Sequence, residues 1–174
     1  MFMSFDITTY DNFLNKEDWN YVVNKTIKGT EWGFCGHTIN PENTFWFMPL
    51  DKDNFFSEHM FSMIKEINPK FKLQRVYANG QTHSLCGELH PDAHGPGIVP
   101  GKYYTFLYYA NTEWRPEYGG NTVFSSDDGT KGYSHYPKPN SAVLFDATIL
   151  HAGLEPTAFY KGLRVTVAFK LEVE

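Results

Sequence analysis

The stretch LRVTVAFKLEV, residues 163–173, is the most strictly alternating segment of the chain. Leu163, Val165, Val167, Phe169 and Leu171 alternate with Arg164, Thr166, Ala168 and Lys170. A period of two puts the two sets on opposite faces of a β-strand. The apolar set needs a cover, which the N-terminal third can supply. Arg164 and Thr166 then point to the other side of the sheet, and if that side is the mouth of a barrel they line a pocket.

Working outward, the chain from residue 72 onward breaks into short β-rich runs separated by Gly, Pro, Asn and Asp: LQRVYA (73–78), SLCGELH (84–90), YYTFLYYA (103–110), NTVFS (121–125), YSHY (133–136) and SAVLFD (141–146). Such spacing argues for a sandwich or barrel rather than alternating βαβ units. Upstream, Trp19, Val22, Val23 and Ile27 recur at helical spacing in NKEDWNYVVNKTIKG (15–29), with Asn15 placed to cap the start and Gly29 to end it. A second helix is predicted after Asp53, with Phe56, Met60, Met63, Ile64 and Ile67 on one face and Pro69 just beyond it. FCGHTI (34–39) and TFWFMPL (44–50) read as short strands between the helices. The expected fold is mainly β with N-terminal helices, a jelly roll buttressed from one end of the sequence. We expect one domain over residues 1–174, with 1–70 as buttress and early strands and 71–174 as the β core.

Composition bounds the partners. At 174 residues with 41% hydrophobic and 17% aromatic content, the chain can bury a sizeable core. A formal charge of −5 supplies no basic footprint for nucleic acid. The opening MFMSFDITTYDNF lacks the charged and apolar regions of a leader, and no run approaches the ~20 apolar residues that cross a bilayer. A soluble, cytoplasmic protein without membrane or nucleic-acid partners is the expectation. Cys35 and Cys86 lack CxxC spacing and are expected to be free thiols.

The chemistry-bearing pattern is His90-Pro91-Asp92. In extended backbone, residues two apart share a face, so imidazole and carboxylate can reach one metal ion. His151, after SAVLFDATIL, is the candidate third ligand. Two histidines and one carboxylate leave positions open on ferrous iron, which suits a metal that must also bind a cosubstrate and dioxygen. Arg164, just downstream, is the cation that could form a bidentate pair with an anionic cosubstrate. Glu88 with His90, or His90 with His94, are alternative ligand pairs. His37, His59, His83 and His135 are expected to be surface or packing residues. The Gly- and Pro-rich AHGPGIVPG (93–101) reads either as a lid or as a connector, and EWRPEYGG (113–120) as a substrate contact or an exposed hairpin turn.

RVYANGQ (75–81), HPD (90–92), YYTFLYYANTEWRPEYGGNTVFSS (103–126), PKPNSAVLFDATILHAG (137–153) and LRVTVAF (163–169), in that order, resemble the prolyl-hydroxylase-type Fe(II)/2-oxoglutarate oxygenases. The resemblance spans roughly residues 72–172. It implies a double-stranded β-helix, a cupin-like barrel, with His90, Asp92 and His151 as iron ligands and Arg164 on the 2-oxoglutarate C5 carboxylate. Thr166 shares the face of Arg164, and Tyr77 and Tyr109 match tyrosines that contact the cosubstrate. The implied reaction consumes O2 and 2-oxoglutarate, releases succinate and CO2, and hydroxylates a C–H bond, with ascorbate as an accessory reductant. A peptidyl proline is the preferred substrate, with a free amino acid or small metabolite as the alternative. Two positions depart from the pattern: collagen-type relatives use a lysine for the C5 carboxylate, for which Lys161 is the nearby alternative, and Asn121 stands where a Glu is common. A cupin-like metal protein and a non-catalytic binding module are the rival readings.

Overall fold

The computed structural model describes residues 7–174; the first six residues of the stretch read for a leader lie outside it. Ten strands form two antiparallel sheets. The strands are β1 (Ile7–Tyr10), β2 (Gly33–Gly36), β3 (Phe45–Pro49), β4 (Phe71–Gln81), β5 (Tyr103–Tyr109), β6 (Thr122–Ser125), β7 (Gly132–His135), β8 (Ser141–Asp146), β9 (Leu150–Gly153) and β10 (Arg164–Val173). The larger sheet runs β1-β8-β5-β10-β4-β3-β2 and the smaller β7-β6-β9. This is the jelly roll expected from the strand pattern, the double-stranded β-helix that the resemblance implies, with β10 at the centre of the larger sheet.

The alternation of β10 organises the interior. Val165, Val167, Phe169 and Leu171 are buried against Val22 of α1 (Lys16–Thr26), against Phe56 and Met60, and against Ile64 of α2 (Phe61–Ile67). Arg164, Thr166, Ala168 and Lys170 face the space between the sheets and line its cavity. Register carries the same parity across neighbours, since Lys170 pairs with Thr105 of β5 and Arg75 of β4, and Thr166 with Tyr109 and Asn79. On this inner side Phe124 of β6 packs edge-on to Phe145 of β8 at 5.0 Å, joining the two sheets.

Asn15 caps α1 as expected, its Oδ1 accepting from the amides of Glu17 and Asp18 at 2.9 and 3.0 Å. The helix ends at Thr26, before Gly29. The helix after Asp53 is not α throughout: Phe55–Met60 is π-helical and only Phe61–Ile67 is α. Its buried residues, Phe56, Met60 and Ile64, recur every four positions, a spacing the wider π turn accommodates without rotating the apolar face off the sheet.

Two further differences concern strands. SLCGELH does not form one: Gly87 donates its amide to the Gly153 carbonyl at 2.9 Å, and His90 alone makes an isolated bridge to His151. Conversely, β1 and β9 are strands that the sequence pattern did not single out, because four residues offer too little alternation to stand apart from a loop. Among the described residues no helix is long and apolar enough to cross a membrane. Cys35 and Cys86 are free and exposed.

Candidate active site

The backbone places three potential metal donors before any side chain is considered. His90 and His151 exchange both N–H···O bonds at 3.0 Å, which sets their imidazoles side by side with ring centres 4.6 Å apart. The amides of Asp92 and Ala93 both donate to the Ala147 carbonyl, at 2.8 and 2.9 Å. That carbonyl lies in a turn held by Asp146, whose Oδ1 accepts from the Thr148 amide and hydroxyl and whose Oδ2 accepts from the Gly101 amide. One carboxylate thus anchors both the turn that docks the HPD segment and the end of the 93–101 loop.

His90 Nδ1 lies 2.7 Å from the Glu88 carbonyl and His151 Nδ1 lies 2.9 Å from the Ile149 carbonyl. A carbonyl can only accept, so each Nδ1 carries a proton, which leaves Nε2 as the atom that each ring can offer to a metal. Those Nε2 atoms face Asp92, at 3.5 Å from Oδ1 for His90 and 3.3 Å from Oδ2 for His151. The ligand atoms of the three residues lie within 4.8 Å of one another. This donor set, two imidazoles and one carboxylate, fits ferrous iron. The alternative sets are not assembled: Glu88 instead accepts from the Asn40 amide at 3.0 Å, and His94 lines the cavity away from the cluster.

Asp92 is buried, which pushes its pKa up, yet Lys170 and His151 outweigh that and hold it well below the usual carboxylate range. Lys170 Nζ contacts Asp92 Oδ2, and the Thr105 hydroxyl donates to the same oxygen at 2.6 Å. Burial likewise works against the charge on Lys170, and Asp92 more than restores it. Neither Lys170 nor Thr105 was foreseen. The alternation of β10 already set Lys170 on the face of Arg164, and that parity was the available signal.

Arg164 is only 2% exposed. Its Nη1 donates to Gln81 Oε1 at 2.8 Å, its Nη2 to Thr122 Oγ1 at 3.1 Å and its Nε to the Gly120 carbonyl. All three acceptors are neutral, and among the described residues no carboxylate pairs with it. Burial lowers its pKa to about 10, so it is a cation at neutral pH. Two glycines make room for it: a Cβ at Gly120 would lie 3.0 Å from its Cδ, and one at Gly153 would lie 3.3 Å from Nη1. Lys161 is exposed in the preceding loop and does not line the cavity.

Thr166, two residues on from Arg164 on the same face of β10, lines the cavity and is 3% exposed. Tyr109 is fully enclosed, donates its hydroxyl to Thr122 Oγ1 at 2.8 Å, and has its pKa pushed up to about 12 by burial. Tyr77 lines the cavity under the Arg75 guanidinium, 4.4 Å from its ring centre, and packs on Phe47 at 5.3 Å. The cavity lined by Thr166, Tyr77, Arg164 and the donor triad, but not by Tyr109, measures about 420 Å³, room for a cosubstrate and part of a substrate. His37 is exposed, as expected, and also lines the cavity, whereas His59 and His83 lie beside Asp18 and Glu155 at exposed positions and His135 stacks on Tyr109. Trp114 is neither exposed nor in the cavity: its indole donates to the Gly119 carbonyl and packs on Tyr160. Asn121 donates to Ser134 Oγ on the neighbouring strand, a structural contact.

A family model described as the 2OG-Fe(II) oxygenase superfamily matches residues 71–169. No curated protein sequence matches the chain. Among solved structures, the chain is similar to a Pseudomonas putida prolyl-4-hydroxylase, with 13% identity, a TM-score of 0.71 and coverage of 98% of this chain and 94% of that one. It is similar to a prolyl hydroxylase from Trichoplax adhaerens in complex with a hypoxia inducible factor peptide fragment (15% identity, TM-score 0.70, 96% and 83% covered). HygX from Streptomyces hygroscopicus, with nickel and 2-oxoglutarate bound, aligns at 10% identity with a TM-score of 0.71, covering 97% and 83%.

Proposed function

The chain belongs to the 2OG-Fe(II) oxygenase superfamily, and from that premise we propose that it hydroxylates a C–H bond at the cavity between its two sheets, with His90, Asp92 and His151 as the iron ligands and Arg164 as the 2-oxoglutarate anchor. When bound, iron(II) and 2-oxoglutarate supply the oxidising chemistry: one O2 is consumed, 2-oxoglutarate becomes succinate and CO2, and a substrate C–H becomes C–OH.

One observation carries the reading: Arg164 is a buried guanidinium with neutral hydrogen-bond partners only, in the same cavity as the donor triad. An uncompensated buried cation is costly, and a terminal carboxylate of the cosubstrate supplies the missing charge in bidentate geometry. A cupin-like metal protein or a simple binding module has no need of that cation.

The remaining residues position and enclose. His90 and His151, fixed through Nδ1 by backbone carbonyls, present Nε2 without rotational search. Thr105 and Lys170 hold the Asp92 carboxylate in place. Gln81 and Thr122 fix the plane of the Arg164 guanidinium, and Tyr109, through Thr122, stiffens that arrangement. Thr166 and Tyr77 complete the walls that exclude water from the cosubstrate. A peptidyl proline is the substrate favoured by the ordered motifs, and two of the similar structures are prolyl hydroxylases.

The test is anaerobic titration of the purified protein with iron(II) and 2-oxoglutarate, expecting a weak visible metal-to-ligand band that forms only with both. Absence of the band, together with no succinate on admitting oxygen, overturns the proposal.

A further inference from the structure

Once the iron and 2-oxoglutarate are accounted for, the cavity has more positive charge than they can use. Among the described residues three fixed cations line it, Arg164, Lys170 and Arg75, against one carboxylate, Asp92. In the reading proposed above, the two charges of the metal and the one of Arg164 are matched by Asp92 and the dianionic cosubstrate. Lys170 and Arg75 are left over.

These two sit together. They are directly opposite in the β10–β4 register, and Arg75 and Lys170 both approach the ring of Tyr77, at 4.4 and 5.7 Å from its centre. Arg75 has no carboxylate within ion-pair distance among the described residues. Lys170 has only Asp92, whose charge the metal would claim. They lie six residues from Arg164 along β10, on the order of 20 Å of strand, at the Asp92 end of the cavity rather than the Arg164 end. Arg75 is exposed, whereas Lys170 is 18% exposed and loses Asp92 to the metal, so an anion entering beside the two cations restores a partner to the buried ammonium.

We infer that the substrate presents a carboxylate to Lys170 and Arg75, beside the C–H bond that is oxidised. This rests on the oxygenase reading and narrows its substrate class to acids. The carboxylate has two sources, a free amino acid or an acidic side chain flanking the reactive residue of a peptide. Lys170 and Arg75 are then specificity-determining residues, and a neutral isostere of the substrate leaves both cations unpaired.

The protein, loaded anaerobically with iron(II) and 2-oxoglutarate, is titrated with probe pairs that differ by one charge: each free L-amino acid against its carboxamide, and capped proline tetrapeptides with Glu or Gln next to the proline. Calorimetry and the shift of the visible band report binding without turnover. At least one acid is expected to bind tenfold or more tightly than its neutral partner, and the arm in which it occurs identifies the source. Arg75→Gln should weaken that acid about tenfold while leaving its neutral partner unchanged, and Lys170→Met should weaken the acid at least as much. Lys170→Met also removes a contact to Asp92, so iron affinity is measured alongside, and Arg75→Gln, which does not touch Asp92, carries the test by itself. Neutral probes binding as well as acids, acids indifferent to Arg75→Gln, or no acid binding while the band is present would each overturn the inference. A missing band instead overturns the oxygenase reading, and the inference with it.

Discussion

Arg164 concentrates the chemistry of the site in one side chain, because its charge is unmatched and its plane is held by Gln81 and Thr122. Arg164→Ala should leave iron affinity within a few-fold of the parent and raise the Kd for 2-oxoglutarate a hundredfold or more, in keeping with the loss of a buried charge-assisted pair. Arg164→Lys should recover little, since a point charge cannot reproduce the fork. Calorimetric titration of each ligand separately distinguishes these outcomes. Thr105→Val removes the hydroxyl that donates to Asp92 and should cost about tenfold or more in iron affinity, the usual scale for partners of a metal ligand. Tyr109 adds a pH signature. Its folded pKa is raised from 10.0 to about 12 by burial, so the stability gained by keeping the phenol neutral is full below pH 10.0 and is lost as the pH rises toward about 12. Urea unfolding across that window, with Tyr109→Phe as control, should show a shallower alkaline loss in the variant.

At the scale of elements, the site depends on backbone that is neither helix nor regular strand. The Gly119-Gly120 pair has φ of 62° and 69°, and Gly120 offers its carbonyl to Arg164 while leaving space for the arginine stem. Gly120→Ala adds a Cβ 3.0 Å from both Arg164 Cδ and Trp114 Cζ2, in the left-handed region. It should therefore cost about 1–3 kcal/mol of stability and weaken 2-oxoglutarate, read by denaturant unfolding and calorimetry. On the opposite side of the larger sheet, Ile64 of α2 is fully buried against the apolar face of β10. Ile64→Ala should lower stability by about 2–5 kcal/mol in urea unfolding, with the iron and 2-oxoglutarate Kd values of the folded fraction unchanged, because Arg164 and Lys170 lie on the other face of the strand.

For the whole molecule, the two sheets close over a cavity where like charges accumulate, and ligands should hold them together by mass action. Iron(II) at a hundred times its Kd should add about 2.7 kcal/mol to the unfolding free energy, and 2-oxoglutarate a second increment, since both bind only the folded arrangement. Thermal unfolding under anaerobic conditions should show two additive rises in Tm for the parent, and in Arg164→Ala only the first.

Much of this was written in local sequence. The alternation of residues 163–173 dictates which face meets the helices, because a strand has a period of two whatever surrounds it, and the HPD, HAG and RVT segments carry their own spacing. The short β1 and β9, the π turn before α2 and the irregular 84–90 segment were not legible: β1 exists only through its ladder with β8, more than a hundred residues away, and 84–90 is extended by single contacts to β9 rather than by its own pattern. The contact of Lys170 with Asp92, the neutral cradle of Arg164 and the excess charge at Arg75 likewise join distant segments. Sequence alone determined the strand parity and the types of group available to a metal and an anion, because these follow from backbone period and side-chain chemistry. Only the tertiary structure decided which charges face each other and which are left unmatched, because that depends on register between strands far apart in the sequence.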